Sequence, residues 1–137
     1  MAVFVVDASV SLAWCLKDEA TAACDALLER LRQGDTSVVP AHWPTELANA
    51  LLFAERRKRI KNGEALFFYQ KIGELPIEIE PSLTVVQVKS VLALSEAYGM
   101  TVYDAAYLEL VKRRGLPLAT LDTQLRKAAE AAKIQIL

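Results

Sequence analysis

The chain has 137 residues and a mass of 15.1 kDa, the size of one domain with a core of its own, and residues 1–137 are read as a single unit. Apolar residues make up 53% and charged residues 24%, a balance that excludes disorder. Sixteen Lys and Arg against 17 Asp and Glu leave a net charge of −1, which excludes retention of nucleic acid by an overall positive field.

No apolar run reaches the roughly 18 residues of a membrane span. The start, Met1 to Asp7, has no basic region or cleavage site of a signal peptide, so the expectation is a cytoplasmic protein with no membrane contact. Cys15 and Cys24 match no zinc or redox spacing and are read as free or buried thiols. A mean hydropathy of +0.22 is high for a monomer of this size and implies apolar surface covered by a partner.

Ala2 to Val6 is a β-branched and aromatic run, apolar on both faces as a central parallel strand is, and it stops at Asp7. Helical spacing follows over Ala8–Leu16 and Glu19–Arg32, with Ala23, Leu27, Leu28 and Leu31 on one stripe and Gly34 beyond the end. Ser37–Val39 is the second strand, closed by Pro40. Pro44 opens a helix running to about Ile60, with Leu47, Ala50, Leu51 and Ala54 at core spacing and Asn62-Gly63 as its stop. A short helix covers Glu64–Glu74, a strand Ile77–Ile79, and helices Leu83–Tyr98 and Tyr103–Arg114, each followed by glycine. The strand Pro117–Leu121 reaches Asp122, then come a helix over Gln124–Lys133 and a last strand over Ile134–Leu137. Strands alternating with helices predict an α/β three-layer sandwich with a mainly parallel sheet of about five strands. Ligands of such sheets bind beyond the carboxyl ends of the strands.

Four acids fall at that edge. Asp7 and Asp122 close strands, and Glu46 and Asp104 lie in the first turns of helices. Each has an ordinary role open to it, as a helix cap or a partner of the helix dipole. Asp104, however, shares a helical face with Tyr107, Leu108 and Val111, and Glu46 one with Ala50 and Phe53, so both are expected to head core-facing stripes. Four carboxylates brought into one partly desolvated place repel one another unless a divalent cation neutralises them, and all-oxygen ligation selects Mg²⁺, with Mn²⁺ also admissible.

The segments Asp7-Ala8-Ser9, Pro44 to Leu51 around Glu46, Tyr103 to Leu110 around Asp104, and Thr120 to Ala129 around Asp122 resemble, in order and at the usual spacings, the four acidic motifs of PIN-domain ribonucleases, most of all the VapC-like toxins of toxin–antitoxin pairs. That resemblance implies a PIN-like fold with the first strand central. Asp7 and Asp104 would be the principal metal ligands, with Glu46 and Asp122 completing the cluster directly or through water. Thr120 would help to hold a water at the metal, and Asn49 would orient Glu46. It also implies an RNA substrate, a homodimer, and a cognate antitoxin whose tail wraps the helices near Glu46.

Metal-assisted hydrolysis of a phosphodiester is the chemistry such a cluster suits. Two other readings stand beside it: a different Mg²⁺-dependent α/β enzyme of phosphate chemistry, and a non-catalytic module that keeps the fold for binding. The first would need a second acid beside Asp7, where the sequence has Ala8-Ser9. The only histidine, His42, has no metal-ligand partner at regular spacing and is read as structural. Basic residues at Arg56–Lys61 and Lys112–Arg114, with Lys17, Arg126 and Lys127, are candidates for phosphate contacts without base selectivity. Leu66, Phe67, Phe68 and Tyr69 are adjacent on one short helix, so some of them are expected to face outward.

Overall fold

Phe4, Val5 and Val6 are wholly buried, and the strand they form (β1, Val3–Val6) runs through the middle of the molecule. The computed structural model describes residues 1–137. Its sheet is parallel and adds β2 (Thr36–Val39), β3 (Ile77–Ile79) and β4 (Leu118–Ala119) in the order β3-β2-β1-β4, which leaves β1 inside. Seven helices flank it: α1 (Ala8–Ala13), α2 (Ala22–Arg32), α3 (Trp43–Arg56), α4 (Glu64–Ile72), α5 (Val85–Tyr98), α6 (Val102–Arg114) and α7 (Thr123–Ala131). The alternating, mainly parallel architecture expected from the sequence is present.

The expected fifth strand is reduced to one parallel bridge from Leu118 to Ile136. Its partner β4 is only two residues long, because Thr120 already leaves the ladder to hydrogen-bond at the sheet edge. The first helix ends at Ala13, and a 3-10 turn at Lys17–Glu19 separates it from α2. Thr21 caps α2 by accepting from Cys24 N, so this helix starts later than expected and buries Cys24, Leu27 and Leu31, leaving Ala23 exposed. Helix α3 also stops early. Lys58 adopts φ +59° there, a left-handed residue ending the helix four positions before Asn62-Gly63.

Register brings the strand ends together. Val6 pairs with Ala119, so the next residues, Asp7 and Thr120, leave β1 and β4 level with each other. Asp7 N donates to Ala119 O at 3.2 Å. Helix α3 begins immediately after β2 through a turn closed by Trp43 N to Pro40 O at 3.0 Å, which puts Glu46 at the same edge. Indole Nε1 of Trp43 donates to Ser11 Oγ (3.0 Å), and Ser11 Oγ donates to Asp7 O (3.1 Å), tying α3 to the end of β1.

Candidate functional site

Asp7 is 5% exposed. It caps α1 by accepting from Val10 N at 3.1 Å, and the same Oδ1 accepts from Ser9 Oγ at 2.5 Å, while Oδ2 accepts from the Thr120 hydroxyl. Thr120 Oγ1 in turn accepts from Asp122 N at 3.0 Å, and Ser9 Oγ accepts from Leu121 N at 2.9 Å. Two hydroxyls therefore stitch the first strand end to the last. Asp122 caps α7, its Oδ1 accepting from Leu125 N at 2.9 Å. In Asp7 and Asp122 the cap role thus coincides with a place at the carboxyl edge of the sheet, since each cap closely follows a strand.

The second pair of acids is joined by a tyrosine. Tyr107, 1% exposed, donates its hydroxyl to Glu46 Oε1 at 2.6 Å, linking α6 to α3 one turn beyond Asp104. Asp104 stands on a helix whose residues 105–111 are all buried, and it is half-buried itself, as its face predicts. The stripe expected for Glu46 is different: Phe53 is exposed and Ala50 only half-buried, and the core face of α3 is Trp43, Leu47, Leu51 and Ala54. Glu46 is half-buried because Tyr107 reaches across to it, not because its own helix turns inward. Asn49 is exposed, and the side-chain hydrogen bond to Glu46 comes from Tyr107. Sequence reasoning had placed Tyr107 in the core; only its hydroxyl, opposite a glutamate 61 positions away, reveals the second role. Ser9 was likewise missed as a hydroxyl donor to the Asp7 carboxylate.

Electrostatics mark these acids as one group. Burial raises the Asp7 carboxyl above its ordinary range, against hydrogen bonds from Ser9, Thr120 and Val10, and the charge of Asp122 adds to the rise. Burial also raises Glu46, with Tyr107 opposing and the charges of Asp7, Asp104 and Asp122 adding. Asp104 is raised by burial and then by Asp122 and Asp7, with the Thr101 hydroxyl acting against. Asp7, Glu46 and Asp104 thus respond to charges from other elements, as convergent carboxylates do.

As the side chains stand, no three His, Cys, Asp or Glu residues are close enough together to hold an ion between them. The donor set nevertheless fits a hard divalent cation: oxygen ligands only, and a mutual repulsion that such an ion offsets. Ligation at roughly 2.0–2.6 Å would require some of the carboxylates to rotate inward.

His42 lies between two tyrosines, its ring centroid 5.6 Å from that of Tyr103 and 5.3 Å from that of Tyr107. Its Nε2 is buried without a hydrogen bond, 3.7 Å from Glu46 Oε1, and burial lowers its pKa, which keeps the ring neutral. The packing agrees with the structural role expected of it. Among the basic candidates, Arg59 pairs with Asp18 and Glu19, Arg113 with Glu109 and Glu80, and Arg114 with Glu78 and Glu80. These stand at the carboxyl ends of α3 and α6, remote from the acids at the amino ends. Arg126 is the exception: its guanidinium donates to Thr120 O at 2.7 Å, against the strand end that carries the site.

Residues 4–131 match the PIN domain family. Ribonuclease VapC3 of Pyrobaculum aerophilum is 31% identical over 121 residues, covering 88% of this chain and 90% of the relative, and ribonuclease VapC12 of Mycobacterium tuberculosis is 32% identical over 124 residues, covering 90% of each. Among solved structures, PAE2754 from Pyrobaculum aerophilum superposes with a TM-score of 0.71 at 25% identity over 93% of this chain and 87% of that one. VapBC2 from Rickettsia felis, bound to a DNA fragment from its promoter, gives a TM-score of 0.65 at 12% identity over 98% and 97% of the two chains, a likeness of fold. With a family match across almost its whole length and relatives above 30% identity covering nine-tenths of it, the chain belongs to the PIN domain family, and its resemblance to VapC ribonucleases is borne out.

Proposed function

We propose that the protein is an endoribonuclease that hydrolyses RNA phosphodiester bonds with Mg²⁺, or Mn²⁺, held by Asp7, Glu46, Asp104 and Asp122, and that it is the toxin of a toxin–antitoxin pair. The observation that carries this reading is the shared electrostatics at the edge of a parallel sheet: burial raises Asp7, Glu46 and Asp104, and the charge of Asp122 adds to the rise of all three. The ribonuclease names of the VapC3 and VapC12 relatives support the activity.

Asp7 and Asp104 are the principal ligands in this reading, with Glu46 and Asp122 contributing directly or through water. When bound, the ion lowers the pKa of a water and offsets charge that grows on the phosphoryl oxygens. Thr120 and Ser9 hold the Asp7 carboxylate in one orientation, and Tyr107 does the same for Glu46. In this reading Arg126, which donates to Thr120 O, contacts a substrate phosphate there. Hydrolysis puts the hydroxyl of water on phosphorus, breaks one P–O ester bond, and returns a proton to the leaving ribose oxygen.

The apolar surface expected from composition is present. Leu66 and Phe67 of α4 are exposed, as are Val85, Val86 and Leu92 of α5, which supports a homodimer and an antitoxin that covers α3 and α4. No helix is long and apolar enough to cross a membrane. The test is cleavage of mixed RNA by the purified chain with Mg²⁺, with Mn²⁺ and with EDTA. Cleavage that needs the metal and disappears in Asp104→Asn supports the reading, and equal cleavage by Asp104→Asn or in EDTA overturns it. In cells, the chain expressed alone slows growth and the Asn variant does not.

A further inference from the structure

Beside the acids lies a cavity of about 450 Å³, walled by Thr45, Glu46 and Asn49 of α3, by His42 before that helix, and by Tyr103 and Asp104 of α6. It lies within the range of roughly 300–1,000 Å³ typical of small-molecule sites, and a single cation would fill little of it. Two carboxylates and no Lys or Arg line it, so apart from any cation those acids hold, its walls offer nothing that attracts an anion. Tyr103 is 65% exposed at the rim, one residue before Asp104, with its ring tilted 57° to the His42 ring behind it. A tyrosine so open gains nothing for the core. His42 in turn packs edge-on against Tyr107, with centroids 5.3 Å apart, so the ring behind Tyr103 has a buried partner of its own. Thr45 and Asn49, four apart on one face of α3, are both exposed and offer a hydroxyl and an amide, donors as well as acceptors.

Accordingly, we propose that this cavity is a nucleobase subsite, in which one unpaired base next to the scissile phosphate stacks on Tyr103 and presents its edge to Asn49 and Thr45. A neutral, planar, hydrogen-bonding guest is what an aromatic wall, an amide and an uncharged hydroxyl select where carboxylates repel anions. A base must leave its stack to enter, so the subsite selects single-stranded or looped RNA over a duplex. The position of Tyr103 ties the two parts of the site together, because a base held there sets which nucleotide's phosphate lies nearest the cation that Asp104 would hold. This assignment rests on the ribonuclease reading, but its binding arm is independent of cleavage.

The test uses fluorescence anisotropy of the full chain with three probes carrying phosphorothioate linkages to slow hydrolysis: a short single-stranded RNA of random sequence, a ribose-phosphate chain of equal length without bases, and an RNA duplex. Wild type is expected to prefer the single strand to both others. Tyr103→Ala is expected to weaken single-strand binding roughly 5- to 100-fold, the size of lost base–aromatic stacking, and to erase the preference over the abasic chain, whereas Tyr103→Phe keeps both. Because Tyr103 is exposed, the melting temperature of each variant serves as the control for folding. In Mg²⁺, Asn49→Ala is expected to change which base stands beside the cut, read by sequencing the product ends. Single-strand binding by Tyr103→Ala within about twofold of wild type, or a wild type that does not distinguish the abasic chain, overturns the subsite. Tyr103-dependent binding without cleavage would leave the subsite standing and remove the nuclease reading; cleavage with Tyr103→Ala unaltered would do the reverse.

Discussion

Asp104 carries a cost when no cation is bound. Burial and the charges of Asp122 and Asp7 hold its carboxyl above the ordinary value, so the folded state binds its proton more tightly than the unfolded chain does. An acid raised in this way leaves stability intact below its unfolded pKa, near 4, and removes it as pH rises through the higher folded value. Asp104→Asn is therefore expected to melt higher than wild type at pH 7 in EDTA, with the difference vanishing near pH 3, where both side chains are neutral. A calorimetric comparison at the two pH values checks this, and a variant that melts lower at pH 7 would contradict it. Tyr107→Phe removes the hydroxyl from Glu46 without changing the buried ring. The expected result is a loss of about 1 kcal/mol in stability, since half-buried Glu46 can turn to water, and a weaker Mn²⁺ dependence of melting temperature. Cys15 is a third case at this scale: burial pushes its thiol up to about 11. Alkylation by iodoacetamide at pH 7.5 is expected to be slow in the folded protein and fast in urea, because the thiolate is the reactive form.

Helix α3 shows how an element's ending is decided. Its apolar stripe is legible in the sequence, and Leu47, Leu51 and Ala54 are buried as the spacing requires, but the local stop signal, Asn62-Gly63, lies beyond the observed end. Lys58 takes the left-handed conformation instead, and its neighbour Arg59 bonds Ala54 O through its backbone and Asp18 and Glu19 through its side chain. A long-range ion pair holds the turn where no local signal announces it. Lys58→Gly removes the Cβ penalty at φ +59° and is expected to stabilise the protein by up to about 1 kcal/mol in urea melts, while Lys58→Val is expected to destabilise it. In α2, Thr21 caps the start, and the buried stripe runs through Cys24, Leu27 and Leu31, with Ala23 in the exposed first turn.

For the whole molecule, eight of the exposed large apolar residues lie on two stretches, α3 and α4 (Leu52, Phe53, Leu66, Phe67) and α5 (Val85, Val86, Val88, Leu92). Two such surfaces match two partners, a second copy and an antitoxin, better than they match a monomer in water. Light scattering of the purified chain is expected to give about twice 15.1 kDa. A mass of one chain at micromolar concentration, with no growth defect in cells, would count against both partners.

Much of this was already decided along the chain. A run buried on both faces, glycines after α5 and α6, and acids at strand ends or first turns are local statements, and α/β chain topology turns them into convergence at one edge. Asp7 and Asp122 were readable for that reason: the signal that caps a helix also marks the carboxyl end of a strand. What remained for the tertiary structure were contacts between residues far apart in sequence. The Thr120 hydroxyl meets Asp7 because Val6 and Ala119 are in register, and Tyr107 meets Glu46 because α6 packs beside α3. Neither pairing has a periodicity or a spacing that could announce it. The same holds for the missing fifth strand and for the cavity under Tyr103, since an edge strand's length and a pocket's walls depend on where several elements come to rest together, and that is set by packing.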